Sequence, residues 1–164
     1  MRKVVWIAVL VLVLILPLAL AGGALIGNRL PWRAPPGPWA RLALYLTTHE
    51  AVQEDNASRP ELRPLAFAMP PARIQGLVVA ACQALRWEVT EIATDERTLR
   101  VSAVVTTRLL RFRDEVTVEI RPAIEGQASV LRARSRSRVG QGDFGANTRH
   151  LLDLAATLAR LTAF

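Results

Sequence analysis

Hydrophobic and polar positions change their spacing along the chain, and the first segment is almost entirely apolar. Residues 4–28 contain no charged side chain. At about 1.5 Å of rise per residue, a helix of this length measures roughly 37 Å, which exceeds the roughly 30 Å hydrocarbon core of a bilayer. The run predicts a transmembrane anchor. A cleaved signal peptide is the alternative, because Ala19 and Ala21 have the small-x-small spacing of a cleavage site.

Proline dominates the next segment. Four prolines and one glycine fall within residues 30–38, which excludes a helix there and favours an extended linker. Residues 39–46 then predict a short amphipathic helix. Residues 47–69 are polar and contain Pro60 and Pro64, so we interpret them as an extended loop.

From residue 70 onward the spacing of apolar residues predicts an αββββα order. Apolar residues recur at helical spacing from Pro71 to Leu85. Alternating segments then predict four strands, at residues 87–94, 98–106, 109–121 and 128–139. Asn147 is a candidate N-cap for a final helix.

The sequence therefore predicts an α+β fold, in which an N-terminal transmembrane helix precedes a two-layer domain of a four-stranded antiparallel sheet covered by two helices. We divide the chain into residues 1–28 (transmembrane anchor or signal peptide), residues 29–47 (Pro-rich linker and short amphipathic helix) and residues 48–164 (α+β domain).

Charge and cysteine content narrow the classes of function. The chain has 21 basic and 14 acidic residues and a formal net charge of +7. The arginines are not interleaved with aromatic residues, so we expect no nucleic acid partner. Cys82, the single cysteine, lies in an apolar run and is expected to be a buried, inert thiol. No metal-ligand spacing occurs, and we expect neither a metal nor a cofactor.

Arginine alternates with small residues in the last predicted strand. Arg132, Arg134, Arg136 and Arg138 share one face, and the preceding strand has glutamates on the corresponding face. Cross-strand Arg–Glu pairs on a solvated face are therefore expected.

Asp114 departs from this alternation, because its position places it on the core side of its strand, together with Phe112 and Val116. A buried carboxylate needs a partner, which Ser135, Ser137 or an arginine would supply. We interpret Asp114 as a structural buried acid rather than a catalytic one.

Three stretches of the chain together resemble a known family. They are Arg-Phe-Arg-Asp-Glu-Val at residues 111–116, the run Ser-Arg-Val-Gly-Gln-Gly-Asp-Phe-Gly-Ala-Asn-Thr-Arg at residues 137–149, and Arg-Pro-Glu-Leu-Arg-Pro-Leu at residues 59–65. They resemble domain of unknown function 1499, a family of bacteria and plants. The resemblance supports an N-terminal membrane or export segment and implies no known activity.

The glycine-rich loop within this motif is the main candidate site. Its glycines allow positive φ and its backbone N–H groups converge on a helix N-terminus, so the loop is a candidate site for an anion such as phosphate. The candidate ligand-binding residues are Arg136, Arg138, Gly142, Asp143, Gly145, Asn147 and Arg149. The alternative is a capping loop in which Asp143 accepts backbone donors or pairs with Arg138.

These features predict a non-catalytic binding or scaffold module tethered to the bacterial inner membrane, with its C-terminal domain in the periplasm. The expected partners are the lipid bilayer, through residues 4–28, and an anionic lipid, a phosphate ligand or an envelope protein. A hydrolase that uses Ser135 or Ser137 with His150 and Asp143 is the alternative. It lacks the nucleophile-elbow pattern Gly-x-Ser-x-Gly.

Overall fold

A six-stranded antiparallel sheet forms the centre of the fold in the computed structural model, which describes residues 2–95, 97–107, 111–123 and 127–163. The strands are β1 (Glu50–Val52), β2 (Leu65–Phe67), β3 (Glu88–Asp95), β4 (Thr98–Thr106), β5 (Arg113–Pro122) and β6 (Ser129–Ser137). Their order is β1-β6-β5-β4-β3, and β2 pairs with β6 beside β1. The fold is therefore α+β with four consecutive strands in a meander and two short strands on its β6 edge.

The predicted four-stranded sheet is wrong, because the segment interpreted as an extended loop supplies β1 and β2. Each of these strands has three residues, and β1 pairs with residues 134–136 of β6 while β2 pairs with residues 129–131. A three-residue strand contains too few positions to display an alternation, so its pairing partner determines its structure.

Two helices cover one face of the sheet and form the core with it. They are α4 (Pro71–Ala84) and α5 (Ala146–Thr162), which pack on each other. The fully buried positions include Ile74, Val78, Ile120, Leu131 and Leu158. The Cys82 thiol is buried here as well, and burial raises its pKa to about 11, so the sulfur stays protonated.

The N-terminal segment consists of α1 (Arg2–Leu10), a π-helical turn (Val11–Ile15) and α2 (Leu16–Gly27). None of the helices in the described ranges is both long and apolar enough to cross a membrane. A span needs about 20 residues in one helix, and the π-helical turn divides this segment into shorter pieces. The predicted transmembrane helix is therefore wrong, and so is the single-pass inner-membrane localisation that depended on it.

The division of the chain into anchor, linker and domain stays a prediction, and the segment interpreted as a linker packs on the domain. It contains α3 (Pro38–Thr47), whose Arg41 side chain is fully buried. The guanidinium forms hydrogen bonds of 2.6 and 3.1 Å to the two carboxylate oxygens of Glu61. It also donates to the carbonyl oxygens of Ala34 and Pro35 and to the Tyr45 hydroxyl.

Electrostatics keeps both members of this pair charged. Burial alone lowers the pKa of Arg41, but its hydrogen bonds to Glu61 and Tyr45 outweigh burial and raise it. Burial alone raises the pKa of Glu61, and the Arg41 hydrogen bond reverses the direction, so the net pKa is lowered. The Arg41–Glu61 pair therefore fixes residues 34–45 against the segment that follows β1.

The opposite face of the sheet carries charged side chains. The predicted cross-strand Arg–Glu pairs are confirmed by Arg100–Glu119, Arg113–Glu88, Arg134–Glu50 and Arg138–Glu115. Phe112 does not join the core as predicted. It lies before β5 and is 46% exposed, next to Arg111 with a φ of 57°.

Candidate functional site

A cluster of polar side chains lies buried between β5, β6 and α5. Its members are Asp114, Ser135, Ser137, Asn147 and His150, each no more than 8% exposed. The alternation of the strands turns Asp114, Ser135 and Ser137 toward α5, and the helix presents Asn147 and His150 to them. We refer to these five residues as the buried polar cluster.

Asn147 connects most of the buried polar cluster. Its Oδ1 accepts a hydrogen bond of 2.6 Å from Ser135 Oγ, and its Nδ2 donates 2.9 Å bonds to Ser137 Oγ and to the His49 carbonyl oxygen. The predicted role as N-cap is wrong, because Gly145 occupies that position with a φ of 79° and Asn147 is the second helical residue. Asn147 instead joins α5 to β6 and to the segment before β1.

Asp114 is buried on the core side as expected, but its expected hydrogen-bonded partner is missing. Within the described ranges, neither of its carboxylate oxygens has a hydrogen bond, and His150 Nδ1 lies 3.8 Å from Oδ2. Burial raises the pKa of Asp114, and the Ser137 hydroxyl opposite it offsets this only in part. Burial lowers the pKa of His150 to about 4. Burial therefore favours the uncharged form of both groups.

The buried polar cluster does not have the geometry of a catalytic triad. Ser135 Oγ lies 3.2 Å from His150 Nδ1, and Asp114 approaches the same nitrogen. A Ser-His-Asp relay needs the two partners on different ring nitrogens. Asp143, the acid of the predicted hydrolase, binds backbone amides instead. No group of three metal-ligating side chains occurs among the described residues either.

The glycine-rich loop encloses the carboxylate of its own aspartate. Asp143 Oδ1 accepts a 2.8 Å bond from the Gly145 amide, and Oδ2 accepts a 3.0 Å bond from the Asn147 amide. Burial raises the pKa of Asp143, and these backbone donors lower it in part. This arrangement matches the capping alternative. The anion site stays a prediction, since an anion on these amides would have to displace the Asp143 side chain.

The arginines assigned to the candidate anion site point to carboxylates of the protein or to solvent. Arg138 Nε donates a 2.9 Å bond to Glu115, and Arg149 pairs with Asp153 one turn later on α5. The Arg136 side chain is exposed on the charged face of the sheet.

The same loop holds α3 in position. The Asp143 amide donates to the Thr48 carbonyl oxygen at 3.0 Å, and the Phe144 amide donates to the Tyr45 carbonyl oxygen at 2.9 Å. Gly142 packs directly on the Leu46 backbone, where a Cβ atom would overlap the carbonyl group. Gly142 is therefore needed for close approach of two backbones.

We expect Gly142→Ala to lower the free energy of unfolding by about 2 kcal/mol, because the loop and α3 would have to separate. Urea denaturation measures this. Gly76→Ala is the matched control, because its Cβ would meet no atom within 4 Å and alanine favours the helix. The control is expected to be neutral or stabilising; an equal loss in both variants would contradict the packing described.

A groove that the sequence analysis did not identify lies beside β1. Its volume is about 570 Å³, within the range of ligand sites. Its walls are formed by the end of α3, by β1 and by the loop that follows β1: Thr47, Thr48, His49, Glu50, Val52, Glu54, Asn56, Ala57, Ser58, Arg59 and Leu62. We call this the β1 groove. Its residues lie in the polar segment interpreted as a loop, where no periodicity marks a site.

The charged residues of the β1 groove differ in how they are held. Glu50 forms an ion pair with Arg134, and Arg59 donates a 3.0 Å bond to the Thr148 hydroxyl. Glu54 is exposed and has no ion pair within the part of the chain that the structure describes. The groove therefore offers one carboxylate without a protein partner beside one anchored guanidinium.

Comparisons with known proteins give one family match. The family model described as a protein of unknown function (DUF1499) matches residues 41–158. No curated protein matches the chain.

Three solved structures show weak likeness. The vertebrate conserved region of human METTL16 is similar over 62% of this chain and 98% of that chain, at 7% identity and a TM-score of 0.45. TTHA0849 from Thermus thermophilus covers 68% and 98% at 14% identity and 0.31. CalU16 from Micromonospora echinospora covers 58% and 72% at 12% identity and 0.27. All three TM-scores are below 0.5, so these likenesses carry no argument about this chain.

Proposed function

Because the chain belongs to the DUF1499 family of proteins of unknown function, we propose that its domain is a non-catalytic binding module whose ligand occupies the β1 groove. The observation that carries this proposal is the groove itself, which combines a volume suited to a ligand with polar side chains on both walls.

The arrangement of the buried polar cluster supports the non-catalytic part of the proposal. Ser135 is fully buried, its oxygen is bonded to Asn147, and no relay through both ring nitrogens of His150 exists among the described residues. A nucleophile has to meet its substrate, and this hydroxyl faces α5 instead. The cluster therefore acts as an internal connection between β6 and α5.

The rigidity of the groove walls supports the binding part. Thr48, at the end of α3, accepts a bond from the glycine-rich loop, and Arg59 is held by Thr148 of α5. Glu54 and Leu62 are joined by a backbone bond of 3.0 Å, which closes the loop that forms the outer wall. Preformed walls reduce the entropy lost when a ligand binds.

A pair of serine-to-tryptophan variants tests the proposal. Ser58→Trp fills the β1 groove, whereas Ser102→Trp adds the same ring to β4 on the charged face of the sheet. The probe is a panel of amino acids, sugars, nucleotides and short peptides in a thermal-shift assay. A compound present at a hundred times its Kd stabilises the protein by about 2.7 kcal/mol.

We expect at least one compound to raise the Tm of the unmodified protein and of Ser102→Trp by several degrees, and to leave the Tm of Ser58→Trp unchanged. An equal increase in Ser58→Trp would mean that the ligand binds elsewhere. No increase with any compound would contradict the binding role.

A further inference from the structure

We infer that the ligand of the β1 groove is an extended peptide that pairs with the free edge of β1. This inference rests on the proposed function and adds the chemical class of the ligand. It depends on the direction of the β1 backbone groups, on the open edge of that strand and on the unpaired charge of Glu54.

Three residues in and beside β1 direct their backbone groups toward β6. The Ser137 amide donates to the His49 carbonyl oxygen at 2.9 Å, and the Gln53 amide donates to the Ala133 carbonyl oxygen at 2.9 Å. Ala51 lies between them, opposite Ser135. In an antiparallel pair, alternate residues exchange hydrogen bonds with the partner strand. His49, Ala51 and Gln53 are thus the residues whose backbone groups face β6.

The same alternation turns Glu50 and Val52 the other way. Their amide and carbonyl groups point away from β6, on the side where both residues form part of the β1 groove. β1 is the terminal strand of the sheet on this side, and no other described strand pairs with that edge. Two outward residues provide two donors and two acceptors, which is the pattern that an added strand requires.

The dimensions of the groove agree with a short strand. A segment of five residues measures about 17 Å when it is extended. The walls run from Thr47 to Glu54 along β1 and return through residues 56–59, so the peptide would lie between β1 and the outer loop. Asn56 and Ser58 on that loop can bond the peptide from its other side.

Charge selects among extended peptides. Glu54 lies in the groove without an ion pair in the described ranges, while neighbouring Asp55 is already paired with Arg132. A lysine or arginine of the peptide next to Glu54 would supply the missing charge. The inferred ligand is therefore an extended peptide with a basic residue near Glu54.

The experiment starts from a random decapeptide library displayed on phage and selected against the full chain. We expect the selected peptides to share a basic residue and to lose at least tenfold in affinity for Glu54→Gln. N-methylation at alternate peptide residues is expected to abolish binding in one register and to leave it unchanged in the other, because only one set of N–H groups faces β1.

A pair of variants tests the role of the β1 backbone. Val52→Pro removes the outward amide and leaves the groups that face β6, whereas Val52→Thr keeps the amide. Binding is expected to fall at least tenfold in Val52→Pro only. The N-methylated peptides test the same bond with the unmodified protein, so the result does not depend on the folding of the proline variant.

Hydrogen exchange of the complex locates the peptide. Protection of the Glu50 and Val52 amides supports the inference, and protection of β3, the opposite edge of the sheet, overturns it. If no peptide is selected, the inference fails. The proposed function would still stand if a small molecule raises the Tm of the unmodified protein but not that of Ser58→Trp.

Discussion

Arg41→Met is expected to lower the free energy of unfolding by about 4 kcal/mol, because removing one partner of a buried ion pair leaves the other charge without compensation. The Glu61 side chain is only 13% exposed and would lose both of its bonds to the guanidinium. The carbonyl oxygens of Ala34 and Pro35 would lose their donors as well. Urea denaturation at neutral pH measures the effect.

Two further variants serve as controls for Arg41→Met. Arg134→Met removes an arginine from the half-exposed pair with Glu50 and is expected to cost less than about 1 kcal/mol. The double variant Arg41→Met, Glu61→Leu removes both charges and is expected to regain part of the loss. Equal costs for Arg41→Met and Arg134→Met would mean that burial does not strengthen the pair with Glu61.

His150 is expected to make the domain less stable in acid by about 3 kcal/mol. Its pKa falls from 6.5 in the unfolded chain to about 4 in the folded protein, and each pKa unit corresponds to about 1.36 kcal/mol. A lowered pKa means that the folded state resists protonation. The stabilisation is therefore complete above pH 6.5 and is lost as the pH falls toward 4.

The measurement compares the unfolding free energies of the unmodified protein and His150→Gln between pH 7 and pH 4. The difference between them is expected to shift by about 3 kcal/mol in favour of the variant as the pH falls. Asp153 and Arg149 on α5 and Asp114 on β5 are the charged groups nearest the ring. A difference that does not change with pH would mean that His150 is not buried as described.

Asp114 should produce the opposite dependence. Its pKa is raised in the folded state, so its contribution is present below the unfolded pKa of 3.8 and is lost as the pH rises. Asp114→Asn removes this loss, and the variant is expected to gain stability relative to the unmodified protein as the pH increases. The two variants therefore separate two buried groups that lie 3.8 Å apart.

The sequence predicted the elements with sustained periodicity. Helix α4 and the meander from β3 to β6 each contain enough consecutive positions to show a period of 3.6 or 2. The same alternation located Asp114 on the core side, where the structure has it. These predictions depend on local spacing alone, and the tertiary structure does not change that spacing.

Features that depend on distant partners were missed. The buried role of Arg41 depends on Glu61, twenty residues later, and nothing near Arg41 marks it as buried. The residues Thr47, Glu54 and Arg59 became groove walls only because β1 pairs with β6. The apolar N-terminal run predicted one long helix, since hydropathy counts apolar residues and does not register the π-helical turn within them.

The glycine-rich loop illustrates both outcomes. Its glycines and Asp143 were identified from the sequence, but the anion and capping interpretations both fit the same residues. Only the positions of the Gly145 and Asn147 amides relative to the Asp143 carboxylate distinguish them. Side-chain direction within a turn depends on coordinates and is absent from residue spacing.

Chemical-shift mapping by NMR tests most directly whether the β1 groove is the binding site. The uniformly 15N-labelled chain is titrated with a compound that raises its Tm. We predict that the largest amide shifts occur in residues 47–54 and 56–59, with smaller changes on the charged sheet face. Shifts concentrated in residues 140–149 would instead assign the ligand to the glycine-rich loop, and shifts around Ser135 and His150 would contradict the non-catalytic role of the buried polar cluster.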